Sequence, residues 1–323
     1  SGQALKKPID QLAIAMEGRV TDSLETILAK QARELGLVAI GFAAAGPAPH
    51  RAHYDRWLAA GNHGAMDFLE RHNDLRADPR RLAPGARTVI MAAIRYPRHP
   101  RPGHGFAAHT WGSDYHTVLR KKLRALADTL RRNGATLCRV CVDSAPLAER
   151  DWAIRAGIGW RGRQGQIVRT DSGCCLLLGA LLTDIELRPS PPYRDRCGRC
   201  RKCLDVCPTG ALQSDGTLDA RRCIACLTIE HAGAIPENLQ RLMGASLFGC
   251  DRCVAVCPWN RFGANMTLPE FAALRPLPSA GELLAMDEQA FATRFTGTAV
   301  MRTGLARMQR NARIAINNSG SQR

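Results

Sequence analysis

The sequence predicts an α+β protein in three parts: a helix-and-strand domain over 20–187, a cysteine-rich domain over 188–262 and a helical segment over 263–323. Three observations predict it. Helical and strand periodicities alternate up to about residue 187. Two cysteine runs, each closing in Cys-Pro, follow the Pro-rich link Arg188-Pro189-Ser190-Pro191-Pro192-Tyr193. The remainder reads as helix broken at Pro269, Pro276 and Pro278.

The first domain can be justified element by element. Residues 21–36 form an amphipathic helix: Thr21 or Asp22 caps it, Leu24, Ile27, Leu28 and Ala32 share a face, and Gly36 stops it. A strand over 37–43, a helix over 52–60 and a short helical piece near 66–70 follow. Thr88 to Ile94 is an apolar strand. Residues 95–109, rich in Pro, Gly, His and Arg, make a loop long enough to be functional. The longest helix, 114–133, sets Val118, Leu119, Leu123, Leu126 and Leu130 against a basic face. A strand over 135–142 leads into a helix over 146–156. Residues 166–170 and 174–183 read as a final strand pair.

Size and composition exclude several classes. A chain of 323 residues with 45% hydrophobic and 23% charged residues can bury a sizeable core. No apolar run reaches the roughly 18 residues needed to span a bilayer, and no apolar stretch follows Lys6 and Lys7, so neither a membrane span nor a leader is expected. The cysteine count, 13, is odd, and the spacing is that of metal ligands, which argues for a reducing cytoplasm over a disulfide framework. The net charge of +16 is carried by 39 Arg and 6 Lys. Coding bias toward Arg does not account for an excess of positive over negative charge, and that excess suits a polyanionic partner such as nucleic acid.

The cysteine runs carry the chemistry. Cys197-x2-Cys200-x2-Cys203-x3-Cys207-Pro208 has the full spacing of bacterial ferredoxins that hold two [4Fe–4S] clusters. Cys250-x2-Cys253-x3-Cys257-Pro258 lacks a leading cysteine. In such ferredoxins the fourth cysteine of a run serves the other cluster. Cys197, Cys200 and Cys203 therefore take Cys257, while Cys207, Cys250 and Cys253 need one more ligand, from Cys223 or Cys226. Zinc is the competing reading of the Cys-x2-Cys pairs; eight available ligands and two Cys-Pro endings favour clusters. Cys138, Cys141, Cys174 and Cys175 fall in apolar strands and read as core.

Asp143 stands where a strand gives way to a helix. It can cap that helix, with Pro146 in the first turn. It can equally act as a general acid at a cleft mouth, since ligands gather beyond the carboxyl ends of strands. The cap role favours the carboxylate and the acid role needs desolvation by an apolar neighbour. The residues alone leave both open.

Taken together, several stretches resemble the epoxyqueuosine reductases. They are Leu75-Arg76-Ala77-Asp78-Pro79, Trp111-Gly112-Ser113-Asp114-Tyr115-His116, Val142-Asp143 through Glu149-Arg150, and Arg155-Ala156-Gly157-Ile158-Gly159-Trp160. Leu181-Leu182-Thr183-Asp184, both cysteine runs, Arg222-Cys223-Ile224 with Leu227-Thr228-Ile229-Glu230, and Arg310-Asn311-Ala312 continue the series, which spans about 22 to 316. The order of motifs is more specific than any one of them. The resemblance implies an α/β-like cobalamin-binding domain akin to nitroreductase-type and reductive-dehalogenase cores, with the two-cluster domain inserted.

It also implies a reaction. The family reduces the epoxide of epoxyqueuosine, at the wobble position of tRNAs with a GUN-type anticodon, by two electrons and two protons. Cobalamin without a lower axial ligand acts at the epoxide, two [4Fe–4S] clusters feed it from an external low-potential donor, and the residue matched by Asp143 gives the proton. By the same carry-over Cys223 completes the second cluster. Cys226 departs from a usually aromatic position. Arg76, Ala107, Gln164, Ile167, Leu178 and Glu230 are implied cobalamin contacts, Arg163-Gln164 standing where Lys-Asn is common. Asp114-Tyr115-His116 begins the Asp-x-His-x-x-Gly pattern of enzymes that ligate cobalt from below, but Leu119 replaces its Gly, so His116 reads as an ordinary helical residue. Arg241 and the Arg194–Arg201 run are candidates for tRNA. A cytoplasmic monomer is expected. The competing readings are a reductive dehalogenase and a ferredoxin-type electron carrier; the roughly 190-residue domain ahead of the cysteines argues against a mere carrier.

Overall fold

A computed structural model describes residues 22–97, 105–262, 268–272 and 276–320. Its first domain is built on a four-stranded antiparallel sheet, ordered β1-β2-β6-β3, from β1 (Ala39–Ala44), β2 (Thr88–Arg95), β3 (Cys138–Cys141) and β6 (Leu176–Thr183). All three pairings are antiparallel, Ala92 lying opposite both Ile40 and Gly179. An antiparallel sheet flanked by helices makes the domain α+β, as its sequence predicts.

Strand β2 shows why the sheet forms here. Every one of its eight residues is buried. Ile90, Ala92 and Ile94 face one core with Leu28, Leu119, Leu123, Leu126 and Leu130 of the helices Leu24–Glu34 and Tyr115–Arg132. Val89, Met91 and Ala93 face the other with Trp152, Ala153 and Ala156 beside helix Glu149–Arg155. The period of two sends successive residues to opposite faces. Each fully buried aliphatic side chain contributes about 1.5–3 kcal/mol.

Several expectations need correction. Ser23 caps the first helix, its Oγ accepting from Thr26 N–H at 3.3 Å, rather than Asp22; Thr21 lies outside the described residues. The helix expected at 146–156 starts at Glu149, so Asp143 is not its cap. Asp143 adopts φ +54°, the one positive φ of a non-glycine among the described residues, and that turn delays the helix. The expected strand pair also separates. β5 (Ile167–Val168) pairs with β4 (Trp160–Arg161), whereas β6 enters the main sheet. Cys174 and Cys175 precede β6 rather than lying in it. Of the expected 95–109 loop, 98–104 fall outside the described residues, and Ala108–Thr110 form a 3₁₀ turn.

The C-terminal helix Leu305–Gly320 packs on Ala280–Ala285, Glu237–Met243 and Ile224–Ile229, tying the last part to the cysteine domain. Asn311 is fully buried, and its Nδ2 donates to the carbonyls of Thr228 at 2.9 Å and Leu247 at 2.8 Å. Arg310 donates to the carbonyls of Leu227, His231 and Gly233. These bonds hold the backbone on either side of Glu230. Asn311→Ala would strand two buried carbonyls at about 1–3 kcal/mol each. Urea denaturation of the loaded protein should show a loss of about 2–4 kcal/mol, and a loss below 0.5 kcal/mol would contradict this role.

Candidate active site

A cleft with ≈ 1030 Å³ of empty space, part of it open to solvent, lies between the first domain and the cysteine domain. Tyr96, Ala107, His109, Tyr115, Gln164 and Leu177 form one wall. Cys207, Cys223, Cys250 and Cys253 all stand on the other. Cys253 is within electrostatic range of Cys250, Cys223 and Cys207, and also of Cys203. Cys203 is similarly close to Cys197 and Cys200. Cys257 and Cys197 pack in one apolar cluster with Trp160, whose Nε1–H donates to Cys197 Sγ at 3.3 Å.

Burial pushes the Cys223 and Cys253 thiols up. A strongly cationic centre is what would hold such groups as thiolates. Among the described residues no three His, Cys, Asp or Glu side chains converge tightly enough to hold a single metal ion.

Asp143 sits at the centre of a charged group within electrostatic range of His109 and Tyr115 of the cleft wall. His116, in the first turn of Tyr115–Arg132, places Nδ1 2.6 Å from Asp114 Oδ1 and Nε2 3.1 Å from Asp143 Oδ2. Arg302, from a 3₁₀ turn of the C-terminal part, places Nη1 3.2 Å from the same Oδ2 and 2.9 Å from His116 Nε2. The Asp143 N–H donates to Glu149 Oε1 at 2.8 Å. Desolvation raises the Asp143 carboxyl, but hydrogen bonds and charge from His116 and Arg302 outweigh it and hold the group down at about 2. Burial pushes Glu149 up to about 8, with the Asp143 charge adding to it. Desolvation lowers His116, yet its bonds to the two carboxylates dominate and raise it.

The geometry allows two proton arrangements. With a proton on Nε2, His116 donates to an ionised Asp143. With that proton on Asp143, the bare Nε2 accepts from Arg302, which can only donate. Arg302 thus stabilises both sides of a transfer from His116 to Asp143.

Residues 76–144 match the family model described as "Epoxyqueuosine reductase QueG, DUF1730", and residues 196–260 match a "4Fe-4S double cluster binding domain". The chain is 38% identical over 299 residues to the epoxyqueuosine reductase of Escherichia coli (strain K12), covering 88% of this chain and 79% of that protein. The chain belongs to the epoxyqueuosine reductase family. Among solved epoxyqueuosine reductases, one crystal structure holds a tRNA-Tyr epoxyqueuosine-modified stem loop and matches at 33% identity and a TM-score of 0.82, covering 91% of this chain and 81% of that one. The Bacillus subtilis enzyme, captured with an aspartate-bearing catalytic loop swung out of its active site, matches at 33% identity and a TM-score of 0.81, with the same coverage.

Within this family fold, Ala107 and Gln164 of the expected cobalamin contacts line the cleft. Arg76 and Glu230 lie within electrostatic range of Asp143. Ile167 and Leu178 pack with the second core instead of forming cleft wall. Arg241 projects from Glu237–Met243 with 80% of its side chain exposed, 3.9 Å from Glu237. Cys226 is buried; Cys174, expected as inert core, lies beside Cys257. Sequence reading missed His116 and Arg302 as partners of Asp143. The Asp-x-His step at a helix start carried a signal for His116. Arg302, 159 residues from Asp143, carried none.

Since the folded Asp143 carboxyl lies below its unfolded value, its stabilising contribution is full above about pH 4 and fades as pH falls toward about 2. Arg302→Leu removes a cation and raises that carboxyl. Acid-unfolding curves of the variant and parent should therefore converge at low pH and separate above about pH 4; a pH-independent offset would show that the pair is not what lowers Asp143.

Proposed function

We propose that this chain reduces the epoxide of epoxyqueuosine in tRNAs of GUN anticodon to the alkene of queuosine. The reaction takes up two electrons and two protons and releases water. Two [4Fe–4S] clusters held by the eight cysteines would relay single electrons from an external low-potential donor, and a cobalamin held in the cleft would receive them. The observation that carries the reading is the placement of Cys207, Cys223, Cys250 and Cys253 on the wall of a cleft whose His109 and Tyr115 lie within electrostatic range of Asp143.

The residues fit these groups. Eight cysteines fall into two sets of four, with Cys197, Cys200, Cys203 and Cys257 as the set away from the cleft wall. Gln164 is 5% exposed at the wall, where its amide lies close enough to the Cys174 thiol to lower it and Nε2 has no well-aligned hydrogen bond, which leaves capacity for a ligand. Arg76, Ala107, Gln164 and Glu230 would hold the corrin from the first domain and from the loop after Ile224–Ile229, with Ile167 and Leu178 packed in the core behind the wall. When bound, cobalamin supplies a cobalt centre that accepts single electrons and acts on the epoxide carbon.

The protein's own part is proton supply. Asp143 gives a proton to the departing oxygen. The carboxyl rests ionised, so it must be charged first, and His116 holds the nearest proton, 3.1 Å away. Asp114 fixes the imidazole through Nδ1, and Arg302 takes the Nε2 lone pair once the proton has moved. Glu149 pins the left-handed turn through the Asp143 N–H, so the carboxyl projects from a strained and fixed backbone. A neighbouring apolar ligand would favour the transfer by desolvating the carboxylate.

The tRNA reading draws on the net charge of +16 and on the solved relative with its modified stem loop. An anticodon loop offers splayed bases that a cleft can take in. Arg241 is one candidate phosphate contact. No helix among the described residues is long and apolar enough to cross a membrane; a monomer working in the cytoplasm completes the proposal.

Four measurements test it. Anaerobically reconstituted protein should bind cobalamin and two clusters and convert epoxyqueuosine in tRNA; intact clusters without cobalamin binding would sink the reading. Asp143→Asn should keep both cofactor spectra and lose at least about 100-fold in turnover, whereas near-parent activity would leave Asp143 a structural turn only. The parent rate should fall as pH rises through the raised value of His116, because the proton source is then lost. Binding of tRNA should weaken steeply with salt through counterion release, and a flat response would count against phosphate contacts.

A further inference from the structure

Electrons have to enter where the second set of cysteines does not reach. Cys207, Cys223, Cys250 and Cys253 line the cleft, while Cys197, Cys200, Cys203 and Cys257 do not. A reductant outside the protein must therefore approach the latter set, and the surface over that set has a definite character. Residues 194–202 hold five cations, Arg194, Arg196, Arg199, Arg201 and Lys202, against one anion, Asp195. All five are exposed. Asp195 is engaged locally, accepting the Cys197 N–H at 2.7 Å, and the nearby Asp205 offsets only Arg201, at 3.6 Å.

An aromatic series reaches from the surface to the same cysteines. Phe262 is 51% exposed, the most exposed large apolar residue described. Arg261 covers its ring at 4.5 Å. The Phe262 ring is 5.6 Å from Trp259, which is 5.2 Å from Trp160, which in turn donates to Cys197 Sγ. Tyr193, adjoining Arg194, lies 5.7 Å from Trp160. An exposed apolar ring beside Arg261, linked through Trp259 and Trp160 to Tyr193 and the basic segment, is suited to brief electrostatically steered encounters. Such encounters bury little surface.

We propose that the Arg194–Lys202 segment together with Arg261 and Phe262 is the docking surface for an acidic one-electron carrier protein. The inference rests on the proposed function, since it needs a cluster at Cys197, Cys200, Cys203 and Cys257. In each encounter the carrier loses one electron and this cluster gains one, so two encounters supply one epoxide. RNA is the other polyanion that could meet these cations. The carrier is favoured because the basic segment itself contains Cys197 and Cys200 and runs up to Cys203, whereas the proposed chemistry brings tRNA to the cleft on the side of Asp143.

The test uses reconstituted holoprotein in anaerobic stopped flow, following bleaching of the cluster absorbance. The probes are a reduced acidic flavodoxin and, separately, photoreduced deazariboflavin, a small uncharged reductant. Arg196→Glu/Arg199→Glu/Arg201→Glu should slow reduction by flavodoxin at least about tenfold at low ionic strength and flatten its salt dependence. Phe262→Ser should slow it without changing the salt slope. Reduction by deazariboflavin and affinity for tRNA should stay at parent values in both variants. Unchanged flavodoxin rates would overturn the proposal, and so would a loss of tRNA affinity with those rates intact, which would make the patch an RNA surface. Failure of the function itself would register earlier, as iron and sulfide contents too low for two clusters before any carrier is added.

Discussion

A carboxylic acid that must deliver a proton beside a cleft needs a cation to hold it and a second acid to recharge it. The arrangement around Asp143 meets that need, and much of the fold converges on it. His116 comes from the start of the longest helix, Glu149 from the helix after β3, and Arg302 from the C-terminal part. Asp143 itself stands in a left-handed turn that an L residue adopts only under constraint, and Glu149 supplies the constraint through the backbone. Neither Arg302 nor His116 could be placed without the sheet that carries β3 and the C-terminal helix that anchors the segment after Val300.

That C-terminal helix has a second consequence. Through Asn311 and Arg310 it fixes the backbone between Leu227 and Gly233 and that of Leu247, which brackets Glu230 and leads into Cys250. The segment that positions Arg302 against Asp143 is therefore continuous with the one that holds the second cysteine run in place. One helix thus braces both the segment that carries Arg302 and the second cysteine run. The two cysteine sets then acquire different roles from position alone, one at the wall of the cleft and one beneath a cationic surface.

The sequence was informative wherever a signal is local. Strand β2 and helix Tyr115–Arg132 are legible because apolar residues recur at periods of two and 3.6. Cysteine spacing announces the cluster ligands for a similar reason, since three of them share one tight loop. Boundaries were less legible. The helix expected from 146 begins at Glu149 because the Asp143 turn is stabilised by a side chain six residues on. Strands 166–170 and 174–183 separate because β6 finds apolar partners on both sides in the main sheet, whereas β5 is left with β4.

By itself the sequence determined the fold class and the two cysteine runs and singled out Asp143, because periodicity, spacing and motif order are properties of neighbouring residues. Tertiary structure alone decided the protonation state of Asp143. A carboxyl at a strand end can be raised by burial or lowered by cations, and the outcome depends on which charges arrive from elsewhere in the chain. Here they arrive from 27 and 159 residues away, and Coulomb attraction at about 3 Å overrides the cost of partial burial.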